Sequence, residues 1–324
     1  MRVERLKTVS RNLCFLLFAF CFVFIVSGCG GDGEPGLEPG AGLPSGPSVG
    51  ASLPVPSGSP SAGESGDAWR IRVVDTAGAE LWSFTESELM ALPDGQDGVF
   101  AHVFSTINNW PTVRFYAVEG YSVIRILQAA GVYDTVQTVT FRSHDGYEIG
   151  LTREQLLRPQ FYYPDAGEGD RGSVQVQPVI AYRWRAGSDD MAEVRDDDPA
   201  LIIGQRNPFE QTNPAFVEGV AEIVVDFSPS ESWQMAGTFP MPGPIAADDT
   251  VKLQHQFFGL VKLHYTLDGS DPTPLSQVYN PSTFRPELTV PIPIIEPTTI
   301  KVLVTGFGRN DSEIAVFEFW PAGG

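Results

Sequence analysis

The sequence predicts an α+β domain followed by a small β-sandwich, both carried behind an N-terminal tether. Three observations predict it. Over residues 67–228, stretches with a period of two are interleaved with short stretches that open on helix-capping signals. Residues 228–249 form a Pro/Gly-rich connector, and the stretches 261–267, 298–305 and 314–319 beyond it are rich in Val, Ile, Thr and aromatic residues. Asp-Gly, Asn-Pro and Gly-Arg-Asn turn signals separate those last stretches, as short antiparallel strands require.

From the N-terminus, Arg2, Arg5, Lys7 and Arg11 precede an unbroken apolar run over 13–26 that is short for a membrane span. The run ends in Val26-Ser27-Gly28-Cys29, which resembles a bacterial lipobox. That resemblance implies cleavage after residue 28, acylation of Cys29, and anchoring to the outer face of the cell membrane in a bacterial envelope. The three cysteines are Cys14, Cys21 and Cys29, so no disulfide can form beyond residue 29 and stability must come from apolar cores. Removal of residues 1–28, with four basic groups and one acid, takes the formal charge from −19 to −22. A surface so acidic repels nucleic acid, which is excluded as a partner. Residues 29–66 are almost entirely Gly, Pro, Ser, Ala and Glu and form a disordered tether. A Gly-rich coil of this length reaches roughly 35 Å.

Within 67–228, Trp69, Ile71 and Val73 alternate with Arg70 and Arg72 as in a half-buried strand. Thr85-Glu86-Ser87-Glu88 is a capping box, and so is Thr152-Arg153-Glu154-Gln155. Ser122 is placed to cap a helix whose Val123, Ile126, Leu127 and Ala130 share one face, with Gly131 at its left-handed end. Strands are expected over 138–142, 179–184, 201–203 and 221–227. The linker is expected over 229–247 and the sandwich over 248–320.

Several of these segments resemble the sulfite-oxidase-like molybdopterin-binding domain family. They are the helix at 120–130, the turn Asp145-Gly146-Tyr147, and the stretches Pro178-Val179-Ile180-Ala181-Tyr182 and Leu201-Ile202-Ile203-Gly204-Gln205. Phe104-Ser105-Thr106-Ile107-Asn108 and Gln160-Phe161-Tyr162-Tyr163-Pro164 resemble segments of bacterial surface proteins that carry the same fold. The resemblance implies a sulfite-oxidase-like fold and a molybdenum held by a pterin dithiolene and one cysteine thiolate. No cysteine stands there; Ala117-Val118-Glu119-Gly120 falls where Cys-Val-x-Gly is expected, and Ser105 is the alternative ligand. A second resemblance rests on Tyr265-Thr266-Leu267-Asp268-Gly269-Ser270-Asp271-Pro272-Thr273 and Thr298-Thr299-Ile300-Lys301-Val302. It is to the C-terminal domain of chitobiases and β-hexosaminidases, and it implies a small immunoglobulin-like β-sandwich that is accessory to catalysis.

The candidate pocket residues are Ser105, Asn108, Arg114, Arg142, His144, Asp145 and Arg206. The arginines suit an anion; for each of them salt-bridging to the surplus carboxylates is the bland alternative. His144-Asp145 beside Arg142 is either a base with an anion clamp or a turn in which Asp145 caps amides and Gly146 takes positive φ. Tyr265, Tyr279 and Phe307 are candidate carbohydrate contacts, or core. Asp196-Asp197-Asp198 and Asp268 to Asp271 resemble pieces of a calcium loop without its full spacing, and no metal site is expected. The reading is of a non-catalytic binding or scaffolding lipoprotein whose partner is a cell-wall glycan or an envelope protein, without a cofactor. The alternatives are a molybdopterin-dependent oxidoreductase with a non-cysteine ligand and a glycan-binding accessory protein.

Overall fold

Strands dominate this chain because nearly every helix signal is followed within two turns by a stop. The structure, a computed structural model, describes residues 69–92, 98–246 and 248–322. The apolar run, Cys29 and the tether lie outside the described residues. All described residues fall in one compact unit, Gly63–Gly324.

Both expected capping boxes are present. Thr85 opens the helix Glu86–Met90, and Thr152 opens Arg153–Leu157. Each helix is only five residues long. Arg158 turns extended (φ −62°, ψ 150°) because Pro159 disfavours the helical region for the residue before it. The helix Val123–Ala129 buries Val123, Ile126 and Leu127 as expected and stops at Gly131 (φ +71°). Ser122 does not cap it; its hydroxyl donates to Gln177 Oε1 instead.

The expected α+β, sulfite-oxidase-like molybdopterin-binding fold is therefore corrected. The chain is mostly β-sandwich, and no helical molybdopterin fold is present among the described residues. The capping signals start helices, but Pro, Gly and β-branched residues prevent their growth, so packing falls to the sheets.

In the N-terminal half, one five-stranded sheet has the order Glu80–Phe84, Ile71–Asp75, Val220–Asp226, Thr138–Ser143, Glu148–Thr152. Only Ile71–Asp75 against Val220–Asp226 is parallel within it. A second five-stranded sheet runs Val217–Glu218, Arg195–Ile202, Val179–Ala186, Val113–Ser122, Val99–Ile107. The two share a core of Ile71, Phe84, Phe141, Ile180, Tyr182, Leu201 and Ile223. Alternate residues of the second sheet, Val179, Ala181 and Ile202, enter another cluster with Phe104 and Trp184. Val179 to Tyr182 is thus buried on both faces, which its unbroken apolar sequence anticipates.

The C-terminal half packs a three-stranded sheet (Gly237–Phe239, Thr250–Gln254, Ile292–Pro293) on a five-stranded one. The latter has the order Gly243–Ile245, Ala315–Pro321, Thr298–Gly306, Val261–Thr266, Gln277–Val278. Its core includes Trp233, Leu263, Tyr265, Tyr279, Val302 and Phe319. The stretch read as a linker thus supplies two strands and a buried tryptophan. Proline there is compatible with strand pairing because those strands are short and lie at sheet edges.

The halves are joined through Gln155. Its Oε1 accepts from Thr152 N (3.1 Å) and Gly308 N (3.0 Å), and its Nε2 donates to the carbonyls of Gly306 (2.7 Å) and Arg309 (2.9 Å). Every donor and acceptor of this buried amide is used. Beside it, a Cβ on Gly150 would meet Gly308 Cα at 3.2 Å, and Gly308 has φ +78°, so two glycines let the backbones touch. Gln155→Ala is expected to cost about 2–4 kcal/mol by taking the carboxamide away from two carbonyls and two amides. Urea unfolding measures it, and a loss under about 0.5 kcal/mol would show that water replaces the carboxamide.

Candidate functional site

Where the halves meet they form a partly open cavity of about 790 Å³, in the size range of small-molecule sites. Its apolar wall includes Ile107, Val113, Phe209, Leu260, Leu275 and Phe307. Its polar lining includes Arg158, Arg206, Glu210 and Gln211 from the N-terminal half, with Lys262 and His264 from the sandwich strand Val261–Thr266.

Two guanidiniums share one carboxylate. Arg206 Nε lies 2.6 Å from Glu210 Oε1, Arg158 Nη2 lies 3.3 Å from the same oxygen, and Arg206 Nη1 reaches Asp311 Oδ2 at 3.4 Å. Burial would raise the Glu210 carboxyl, but Arg206 and Arg158 outweigh it and hold the group below the usual range. Burial dominates at Asp311 and raises it. Arg158 is lowered by burial, and its Nε has no hydrogen-bond partner.

Lys262 Nζ donates to the carbonyls of Asn280 (3.2 Å) and Pro281 (3.5 Å), and burial pushes its amine down to about 8. Gln211 Nε2 donates to the same Pro281 carbonyl (2.6 Å), leaving its buried Oε1 without a donor. Trp233 Nε1 is likewise buried and unpaired at the cavity wall. His264 Nδ1 faces the Ser276 carbonyl (3.3 Å) and Nε2 faces Thr305 Oγ1 (3.1 Å), which assigns the proton to Nδ1.

Of the residues picked from sequence, Arg206 and Phe307 line this cavity. The others lie elsewhere. Ser105 is fully buried, donating to Gln205 Oε1 (2.6 Å) and accepting from Tyr163 N (2.8 Å). Asn108 closes a turn by accepting from Trp110 N and Thr112 N, and Arg114 is exposed. Arg142 is paired with Glu148 (2.9 Å) and Glu222 (2.5 Å). His144 is exposed, and Asp145 accepts from Ser143 Oγ and Tyr147 N beside Gly146 at φ +92°. Those contacts hold its carboxyl below the usual range, as in a turn. Tyr265 and Tyr279 stack edge-on inside the sandwich, away from its surface. Ser105 has its hydroxyl committed at both ends, and no cysteine thiolate stands beyond Cys29, so these residues do not fit a molybdenum centre. Among the described residues, no group of three His, Cys, Asp or Glu could hold a metal ion.

Arg158, Glu210, Gln211, Lys262, His264 and Asp311 were not legible as site residues. The available signal was in 261–266, where Lys262 and His264 occupy the second face of a strand whose first face, Val261, Leu263 and Tyr265, is core.

Residues 240–316 match the family model of the chitobiase/β-hexosaminidase C-terminal domain. This agrees with the second resemblance and with the sandwich seen here. The match begins inside the stretch read as a linker, where Gly243–Ile245 already pairs with Ala315–Pro321. No sulfite-oxidase-like domain is shown in the N-terminal half. No curated protein matches the chain.

His264 gives a pH test. The folded chain keeps this imidazole neutral down to about pH 4, against an ordinary value of 6.5. The unfolded chain therefore binds the extra proton between those values, and stability falls as pH drops through that window, by on the order of 3 kcal/mol. The stability lost between pH 7 and pH 4.5 should be about 2 kcal/mol smaller in His264→Gln. Glu218 and Asp311, raised by burial, act in the opposite direction in both proteins and cancel in the comparison. Equal losses would show that the imidazole takes its proton while folded.

Proposed function

We propose that this chain is an exported, lipid-anchored binding module that holds a small molecule between its two β-rich halves without transforming it. The observation that carries the reading is the cavity between the halves, with mostly apolar walls into which Arg158, Arg206 and Lys262 bring three cations. Apolar walls with a few polar groups are the usual make-up of a small-molecule site. The lipobox-like Val26-Ser27-Gly28-Cys29 and the tether behind it support presentation at the cell envelope.

Cys29→Ser is expected to leave the protein without its diacylglyceryl group, and native mass spectrometry of the membrane-extracted wild type to show one retained small molecule per chain. Leu275→Trp, at the cavity mouth, should lose that mass. A bare wild-type chain, or retention unchanged in Leu275→Trp, would overturn the cavity reading; unaltered acylation in Cys29→Ser would overturn the anchor.

A second reading is favoured by one surface feature. Trp110 and Phe284 are both exposed and stack with rings nearly parallel (5.9 Å, 3°), and Asn109 and Pro111 on either side of Trp110 line the cavity. Such a face suits a sugar ring, and a cell-wall glycan is then the partner. Retention on a cell-wall polysaccharide column should be lost in Trp110→Ala; equal elution of both proteins would remove this reading.

A further inference from the structure

Resting on the cavity reading above, we propose that the ligand is a small organic monoanion, a carboxylate on a largely apolar body, with the Lys262 ammonium as its counter-ion. The charge balance of the lining points there. Three cations face the cavity, Arg158, Arg206 and Lys262. Glu210 and Asp311 lie against the two arginines. Glu168 stands at the rim and is engaged by Arg171 (3.0 Å). Lys262 has only two backbone carbonyls, and among the described residues no carboxylate pairs with it. In a chain with 40 acidic and 21 basic side chains, a withdrawn cation without an acid is the reverse of the expected arrangement.

An unpaired, half-buried ammonium has lost part of its hydration, and an anion brought to it recovers that cost. The neighbouring groups extend the fit. Gln211 donates to the same Pro281 carbonyl as Lys262 and so holds that carbonyl beside the ammonium. Phe209, Leu275 and Phe307 supply apolar surface for the body of the ligand.

The test is isothermal titration of the full-length protein in detergent with butyrate, 4-phenylbutyrate and glucuronate, each against its neutral counterpart: butyramide, 4-phenylbutyramide and glucose. At least one acid is expected to bind about tenfold or more tightly than its counterpart. Lys262→Met keeps the apolar stem and removes the charge, so it should fold. It should abolish the preference while leaving binding of the neutral compound within about twofold. The glucuronate arm separates a sugar acid from an acyl or aryl acid. Acids binding no better than their counterparts, or a preference that survives in Lys262→Met, would overturn the monoanion while leaving the cavity reading standing. No binding by any of the six would overturn both.

Discussion

The Gln155 carboxamide is the contact on which the relation of the two halves depends. It belongs to the capping box that starts a five-residue helix, and it spends its remaining donors and acceptor on Gly306, Gly308 and Arg309 of the sandwich. One side chain therefore fixes a local turn and a distant strand end together. A carboxamide is well suited to this, since it satisfies two donors and two acceptors in one plane without burying a charge. The approach it holds is close enough that Gly150 leaves no room for a Cβ without adjustment, and Gly308 sits at a positive φ that favours glycine. The cavity follows from that geometry, because fixing the sandwich edge there leaves the Val261–Thr266 strand facing Arg158 and Glu210 across a gap.

Burying so many charged groups in that gap carries its own cost, which the chain offsets unevenly. Around Glu210 the offset is good. Two guanidiniums and the Arg206 backbone amide bond its carboxylate, and their attraction exceeds the loss of hydration. On the sandwich side it is poor, since carbonyl dipoles alone face Lys262. His264 escapes the problem by staying neutral between the Ser276 carbonyl and the Thr305 hydroxyl. The lining thus pairs a cluster whose opposite charges are matched with a cation that no carboxylate matches among the described residues.

Much of this architecture was legible in local sequence. The capping boxes at Thr85 and Thr152, the buried face of Val123, Ile126 and Leu127, the turn at Asp145-Gly146 and the sandwich strands all follow from short-range chemistry. Fold class was not, because a capping signal marks where a helix starts and carries no information on its length; Pro159 and Gly131 set the length. Ser122 shows the same limit, its hydroxyl being drawn to Gln177, 55 residues away. The site was harder still. Arg158 and Glu210 pair within the N-terminal half, but Lys262 and Asp311 join them only when the halves dock. Lys262 and His264 read as the wet face of a half-buried strand, a reading that holds for the sandwich alone. Tyr265 and Tyr279 carry the converse lesson, since an aromatic in a strand reads identically whether it packs inward or faces a sugar.

The overall charge bears on what such a cavity can hold. A formal charge of −19, or −22 after loss of residues 1–28, opposes the approach of any anion at long range. At physiological ionic strength that repulsion is screened beyond about 8 Å, whereas a pair formed inside the cavity is screened much less. Long-range repulsion acts on every charge a ligand carries, but Lys262 can neutralise only one. A polyanion therefore suffers the exterior field several times over and gains one ion pair, while a monoanion suffers it once and gains the same pair. The apolar wall favours the monoanion further, since each buried methylene contributes about 0.8 kcal/mol with no electrostatic cost. Acidic surface, single unmatched cation and apolar lining consequently act in one direction, selecting for low charge and against size by charge.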